Sequence, residues 1–221
     1  MNNKIIIFGS SYQANVVYNE LSWLKKSVIG FCDDANKGKN ILHKNRKLKN
    51  LGKFEEIPTK ILKNSVGVIG IGENKIRKQI VDKVKRVKND FKWIKLVSRF
   101  AKVSPNTVIG EGTVILSGSV IRNNVKIGDH CLINSSCSID HDNQIDDFAS
   151  CGPGVITGGN VKVGKMSFIG IGSTIKHSIK IETNVIIGGH SFVNKNCRKE
   201  FLYFGVPAKK IKSVKSMKSQ F

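Results

Sequence analysis

The stretch Ile109-Gly-Glu-Gly-Thr-Val114, Ile115-Leu-Ser-Gly-Ser-Val120, Ile121-Arg-Asn-Asn-Val-Lys126, Ile127-Gly-Asp-His-Cys-Leu132 reads as successive hexads, each headed by isoleucine. The same cut runs without insertion from the hexad led by Val103 to the one led by Val193, and 14 of these 16 leading residues are Ile or Val. The exceptions are Cys151 and Thr157. The fifth residue of each hexad is small or medium-sized, as at Thr113, Ser119, Cys131, Cys137, Ala149 and Ser167. A period of six with β-branched leads signals a solenoid, because each repeat is one short strand and turn that cannot bury its apolar face alone. Three hexads close a triangular coil of a parallel β-helix, with the branched lead pointing inward and the small fifth residue in the corner. Sixteen hexads make a little over five coils, enough for a self-supporting stack. The pattern is that of the left-handed hexapeptide-repeat helix, an exception to the right-handed crossover rule.

Residues 1–100 follow a different rule. Lys4–Phe8 is a buried-strand run ending at Gly9-Ser10-Ser11, and residues 12–26 place Val17, Leu21 and Leu24 at helical spacing. Further strands are predicted at Val28–Phe31, Ser65–Ile71 and Trp93–Val97, with a helix over Glu73–Lys88 and a loop or short elements over 36–53. Strand–helix alternation predicts a small Rossmann-like parallel sheet whose ligands sit at the C-terminal strand ends. The expected organisation is therefore an α/β domain over 1–100, an all-β left-handed parallel β-helix over 101–198, and a basic tail over 199–221.

Composition narrows the function. Of 221 residues, 40% are apolar, which excludes a disordered chain, and 37 Lys+Arg against 16 Asp+Glu give a net charge of +21. The apolar runs are strand-sized, so no membrane insertion is expected, and the N-terminus has no basic stretch followed by an apolar h-region. Five cysteines at no zinc-finger or CxxC spacing predict free thiols in a reducing, cytoplasmic setting. The charge divides as +14 over residues 1–100, +2 over 101–208 and +5 over 209–221. A charge of this sign invites polyanionic partners, whether nucleic acid, anionic membrane or phosphorylated small molecules, and composition does not choose among them.

Stacking the hexads turns the sequence into columns, since positions eighteen apart lie one coil apart, about 4.8 Å. His141, between Asp140 and Asp142, lies below Gly159, and Gly159 below His177. The column reads histidine, gap, histidine, with glycines removing side chains where a ligand could approach. A neighbouring carboxylate orients an imidazole and raises its basicity, as a general base requires. His43 and His130 read as surface residues, and His190 falls in a turn.

The run Asn134-Ser-Ser-Cys-Ser-Ile-Asp-His141-Asp142, with Phe148, Gly154, Gly159-Asn-Val-Lys-Val-Gly164 and Gly205-Val-Pro-Ala-Lys209, resembles a bacterial sugar acetyltransferase family. This is the family of the sialic-acid O-acetyltransferases and the nucleotide-sugar N-acetyltransferases of the bacillosamine and perosamine pathways. The resemblance implies acetyl-CoA as co-substrate, no metal, a nucleotide-linked amino sugar as acceptor in surface-glycan or O-antigen synthesis, and a homotrimer with sites between subunits. It implies His141 as general base and Asp142 as its orienting acid. Acetyl-CoA would meet Ser150, Gly159, Ile171 and Gly189, with Lys209 facing its phosphates. Gly9, Gln13, Asp33, Asp34 and Gly72 would meet the nucleotide sugar. Two departures stand out: Tyr12-Gln13 replaces a histidine-bearing Gly-rich loop, and Ser150 stands where relatives often carry a second histidine.

Other readings make different demands. Sugar O-acetylation needs only a different acceptor on the same scaffold. A β-helix metalloenzyme would need His141 and His177 on one zinc, yet two coils separate them within one chain, about 9.6 Å. A dinucleotide oxidoreductase wants three glycines in the first loop, which offers one. A nucleic-acid binder would rest on charge alone.

Overall fold

The computed structural model describes residues 4–34, 41–43 and 46–216. Contacts divide the chain into two compact units, Met1–Gly72 with Ile76–Leu96, and Glu73–Lys75 with Val97–Phe221.

In the first unit β1 (Lys4–Phe8) lies between β2 (Val28–Cys32) and, further along the chain, Ser65–Ile69, all parallel. Such a sheet is covered on both faces, and Ile5 to Phe8 are accordingly all buried. Helix α1 (Tyr12–Trp23) buries Ala14, Val17, Tyr18 and Leu21, one face at helical spacing. The other face of the sheet packs on an aromatic cluster in which the Phe8 and Trp93 ring centroids are 4.9 Å apart and those of Phe54 and Phe91 5.3 Å. Residues 41–43 and 46–48 pair as a short antiparallel ribbon, and the rest of the expected 36–53 loop before position 46 lies outside the described residues.

The predicted fourth strand, Trp93–Val97, touches this sheet at its first residue and then leaves it. Trp93 makes an isolated bridge to Gly67, whereas Leu96–Val97 is the first strand of a β-helix sheet. The reason lies in the repeat: Val97 precedes Val103 by six and is itself a lead, so the Ser98 N–H donates to the Ile115 carbonyl at 2.8 Å.

The second unit is the β-helix, with three parallel sheets. Their strands begin with Leu96–Val97, Lys102–Val103 and Val108–Ile109 and recur every eighteen residues, as in the pairing of Val120 with Ser138 and Ile121 with Ile139. The leads from Ile115 to Val193, apart from the polar Thr157, and the fifth-position apolar residues form one buried core. Past Cys197 the chain does not simply trail away: Phe201–Gly205 extends one sheet beside Ile186–Ile187, and Ala208–Ser213 turns back antiparallel to it.

Fifth-position residues are small for steric reasons, and they also carry hydrogen bonds that periodicity does not reveal. The Thr113, Ser119, Ser167 and Ser173 hydroxyls donate to carbonyls fifteen residues on, at 2.7, 2.8, 2.7 and 2.9 Å. The Cys131 and Cys137 thiols point at equivalent carbonyls, and burial pushes the Cys137 thiol up to about 11 and that of Cys197 to about 12. These thiols are corner fillers, and burial holds those of Cys137 and Cys197 protonated. Asn143 is the amide version. Its Nδ2 donates to the Asp140 carbonyl at 2.6 Å and the Gly158 carbonyl at 3.0 Å, and its Oδ1 accepts from the Val161 N–H at 2.7 Å. Asn143→Val would fit the space but leave these buried groups unpaired, so a stability loss of about 2–4 kcal/mol is expected in urea unfolding.

The fourth residue of most hexads adopts left-handed backbone, with φ of +59° at Asn124, +58° at Asp142 and +56° at Asn160. Asn and Asp tolerate this region better than other side chains. His130, which the sequence marked as a surface residue, also occupies such a position but is buried, its ring stacked on Phe148 at 5.2 Å. The correction has a local cause: one coil below stands Gly112, where a Cβ would collide with the imidazole. The His43 side chain lies outside the described residues. No helix among the described residues is long and apolar enough to cross a membrane.

Candidate active site

His141 occupies the turn between strands Ser138–Ile139 and Gln144–Ile145. Its Nδ1 is 2.6 Å from Asp142 Oδ2. An ionised carboxylate only accepts, so Nδ1 carries the proton and Nε2 presents a lone pair. The pair holds the Asp142 carboxyl below the usual carboxylate range and raises His141 above its ordinary value, first through the hydrogen bond to Asp142 and then through the charge of Asp140. Both side chains are exposed, His141 by 59% and Asp142 by 50%, so their contact orients the ring and adds little to stability.

The column read from the sequence is present. The Asn160 N–H donates to the His141 carbonyl at 2.9 Å and the Ser178 N–H to the Gly159 carbonyl at 2.9 Å. A Cβ on Gly159 would lie 2.5 Å from His141 Cε1 and 2.6 Å from Nε2, so the imidazole rests over the bare backbone of Gly159. A Cβ on Gly158 would likewise collide with His177, 2.7 Å from its backbone nitrogen. Among the described residues no three His, Cys, Asp or Glu side chains are grouped to hold a metal ion.

The other expected acetyl-CoA residues lie elsewhere on the coil. Ile171 and Gly189 follow strands Phe168–Ile169 and Ile186–Ile187, which belong to a different sheet from the one preceding His141 and Gly159. They are stacked one coil apart, and Ile171 is 53% exposed. Lys209 lies on the returning strand Ala208–Ser213 of that second sheet. Ser150 is on this sheet as well, 1% exposed, and its hydroxyl donates to Asn74 Oδ1 at 2.7 Å. Asn74 belongs to the same compact unit, and its Nδ2 donates to the Ser167 carbonyl at 3.1 Å.

Within the first unit, Gly9, Asp33 and Asp34 line a cavity of about 240 Å³ whose walls are largely apolar, with Phe8, Phe54, Ile71, Ile80 and Val84. The Ser10 hydroxyl donates to Asp33 Oδ2 at 2.5 Å, and Lys83 Nζ lies 2.8 Å from Asp34 and 3.2 Å from Glu55. Gly9 has φ +95°, and a Cβ there would meet Ile71 Cγ1 at 2.6 Å. Gln13 and Gly72 are not among the lining residues; the Gly72 carbonyl accepts from the buried Arg77 at 2.6 Å, and Gln13 Nε2 is buried without a partner among the described residues. Cys32, also in the lining, is pushed up to about 12, first by burial and then by the charge of Asp34. Sequence reading missed Lys83, although a lysine one helical face away from two carboxylates is visible once the helix over Asn74–Val87 is in place.

The site is thus a histidine–aspartate pair on an exposed turn of a parallel β-helix, over bare glycine backbone. Comparison with known proteins extends this. The PglD N-terminal domain matches residues 4–84, and the bacterial transferase hexapeptide (six repeats) matches 106–141. PerB from Caulobacter crescentus, solved with CoA and GDP-perosamine, superposes with a TM-score of 0.87 and 25% identity, covering 96% of this chain and 99% of that one. The acetyltransferase domain of PglB from Neisseria gonorrhoeae, solved with acetyl coenzyme A, gives 0.86 and 22% over 96% and 100%. WeeI from Acinetobacter baumannii gives 0.83 and 21% over 94% and 99%. The chain thus carries a PglD N-terminal domain and bacterial transferase hexapeptide repeats, and its solenoid matches the left-handed β-helix of these acetyltransferases.

Proposed function

We propose that this chain transfers the acetyl group of acetyl-CoA to the amine of a nucleotide-linked amino sugar, with His141 as general base. The observation that carries the reading is the His141–Asp142 pair, whose Nε2 edge lies over the bare backbone of Gly159. A thioester is already activated, so the protein must position two substrates and accept one proton. His141 Nε2 takes a proton from the amine as its nitrogen attacks the thioester carbon. The C–S bond then breaks, and the same imidazole returns the proton to the leaving thiolate. Asp142 stabilises the imidazolium formed between these steps.

The acceptor's nucleotide is assigned to the cavity of Gly9, Asp33 and Asp34, where the apolar walls suit a flat base and the carboxylates can accept from it or from the sugar. PerB, solved with GDP-perosamine, supports this substrate class by likeness. Acetyl-CoA is assigned to a path along Ile171 and Gly189, with Lys209 toward its phosphates. Since these residues and His141 follow different sheets, one site using both draws on two copies of the chain, and a homotrimer supplies three such sites. Light scattering is expected to give three times the 24.4 kDa chain mass.

The pH dependence has a definite sign. Only neutral imidazole accepts a proton, and the His141 value is raised. Turnover, read as kcat/KM, is therefore expected to climb with pH through a midpoint above the ordinary histidine value and then level off. Asp142→Asn removes the main cause of the shift, so its rising limb should move to lower pH while kcat falls. The reading itself is tested by a panel of UDP-, dTDP- and GDP-linked amino sugars and their hydroxyl counterparts, assayed with acetyl-CoA. Acetylation of an amine supports it. Acetylation confined to hydroxyls would convert it to sugar O-acetylation on the same scaffold.

A further inference from the structure

Hexads led by Val103, Ile121 and Ile139 place Asn106, Asn124 and Asp142 in one column at the corner that carries His141. Asn106 Nδ2 donates to Asn124 Oδ1 at 2.6 Å, and Asn124 Nδ2 donates to Asp142 Oδ1 at 3.1 Å. Asp142 Oδ2, its other oxygen, is the one 2.6 Å from His141 Nδ1. The direction of this chain follows from chemistry. A carboxylate accepts only, so Asn124 must turn its NH₂ toward Asp142, which leaves its carbonyl oxygen to accept from Asn106. The next residue up the column behaves differently: Asn160 donates to Ser178 Oγ at 3.4 Å. Both oxygens of Asp142 are thus engaged, one by the base and one by a carboxamide whose own orientation is fixed a coil further down.

We propose that Asn124 and, through it, Asn106 are positioning residues for the general base, holding the Asp142 carboxylate in the rotamer that aims His141 Nε2 at the acceptor. The proposal rests on the acetyl-transfer reading only for what the base does, not for how it is held. The physical need is clear, because the pair is half exposed and water competes for both partners. An isolated surface carboxylate rotates freely among its rotamers and would drag the imidazole with it. A misplacement of about 1 Å at a reacting group can cost about a hundredfold in rate. Left-handed backbone at Asn124 and Asp142 directs the two side chains along the column, and asparagine suits that conformation.

The test combines a titration with kinetics. The charged and titratable groups around His141 are Asp140 and Asp142 on its own turn and His177 behind Gly158; Lys126 and Lys162 line the groove that Asp142 and the two asparagines share. Asn124→Asp keeps shape and backbone preference but sets a carboxylate against Asp142. In the substrate-free protein, the His141 midpoint followed by NMR of labelled imidazole is then expected to move up by about half a pH unit or more. The kcat should fall about tenfold, with the KM for acetyl-CoA unchanged and thermal unfolding near that of wild type. Asn106→Ala, which touches neither member of the pair, should lower kcat by a smaller factor and leave a broadened Asn124 amide resonance. A wild-type His141 midpoint together with wild-type kcat in Asn124→Asp would overturn the proposal. The titration needs no acceptor. An upward shift in a protein that acetylates nothing on the panel would count against the reaction and still support the ladder.

Discussion

His141→Ala is expected to lower kcat for acetyl transfer by about 10² to 10⁴-fold, the range for loss of a positioned general base. The side chain is 59% exposed and its ring lies over Gly159, so removing it leaves no cavity in the core. Folding, assembly and acetyl-CoA binding should therefore survive, as judged by thermal unfolding and by calorimetry with CoA. The loss should fall on kcat rather than on KM, because proton acceptance is needed in the transition state and not in either ground-state complex. A variant that unfolds would show a structural role instead. One that turns over near the wild-type rate would show that a different group, or water, takes the proton.

The second large effect is expected at a residue with no chemistry of its own. Gly159→Ala places a methyl group 2.5 Å from the imidazole, which no real contact permits. The obstacle is a side chain on an exposed turn rather than backbone, so the ring yields and the coil does not. Folding should be retained, but His141 would be pushed off its place above Gly159, and the backbone face left for substrate would be covered. A fall in kcat/KM of about a hundredfold is expected, the scale associated with displacement of a reacting group by about 1 Å. Gly158 makes a useful contrast. A Cβ there meets the backbone of His177, so Gly158→Ala should cost stability as well as activity, which thermal unfolding of the two variants would separate.

Much of this was legible from the repeat. A six-residue period with branched leads determines strand, turn, inward face and coil register at once, and through the register it puts His141 beneath Gly159. The misjudged places are those where period gives way to particular contacts. Trp93–Val97 looked like a strand of the first sheet because its apolar run does not show which partner it takes. That Val97 sits six residues before Val103 was the available signal. His130 looked exposed because histidine in a polar turn usually is, yet Gly112 below and Phe148 above make a slot for its ring. The hairpin after Phe201 has no hexad signature at all, since antiparallel return obeys a period of two and a turn.

At the site, residue identity and place along the chain were readable, but geometry between columns was not. Proximity in sequence offered Asp140 and Asp142 alike, the family resemblance pointed to Asp142, and its 2.6 Å contact with His141 is present. The carboxamide ladder beneath it was hidden, because Asn106 and Asn124 look like ordinary turn residues until the coils are stacked. The same holds for the first-domain cavity. Asp33 and Asp34 stood out as acids after a strand, while Lys83 emerged only when the helix over Asn74–Val87 brought it to 2.8 Å from Asp34.

The central claim is that His141 removes a proton from a sugar amine as it attacks acetyl-CoA. It is tested most directly by following a ¹³C-labelled acetyl group from acetyl-CoA in the presence of the nucleotide amino sugars, with wild-type and His141→Ala proteins side by side. The label is expected to appear in an amide on one of these sugars, matched mole for mole by free CoA, and the variant to lose this transfer while still binding CoA. Label that stays on CoA across the whole panel, or that moves equally fast in both proteins, would contradict it.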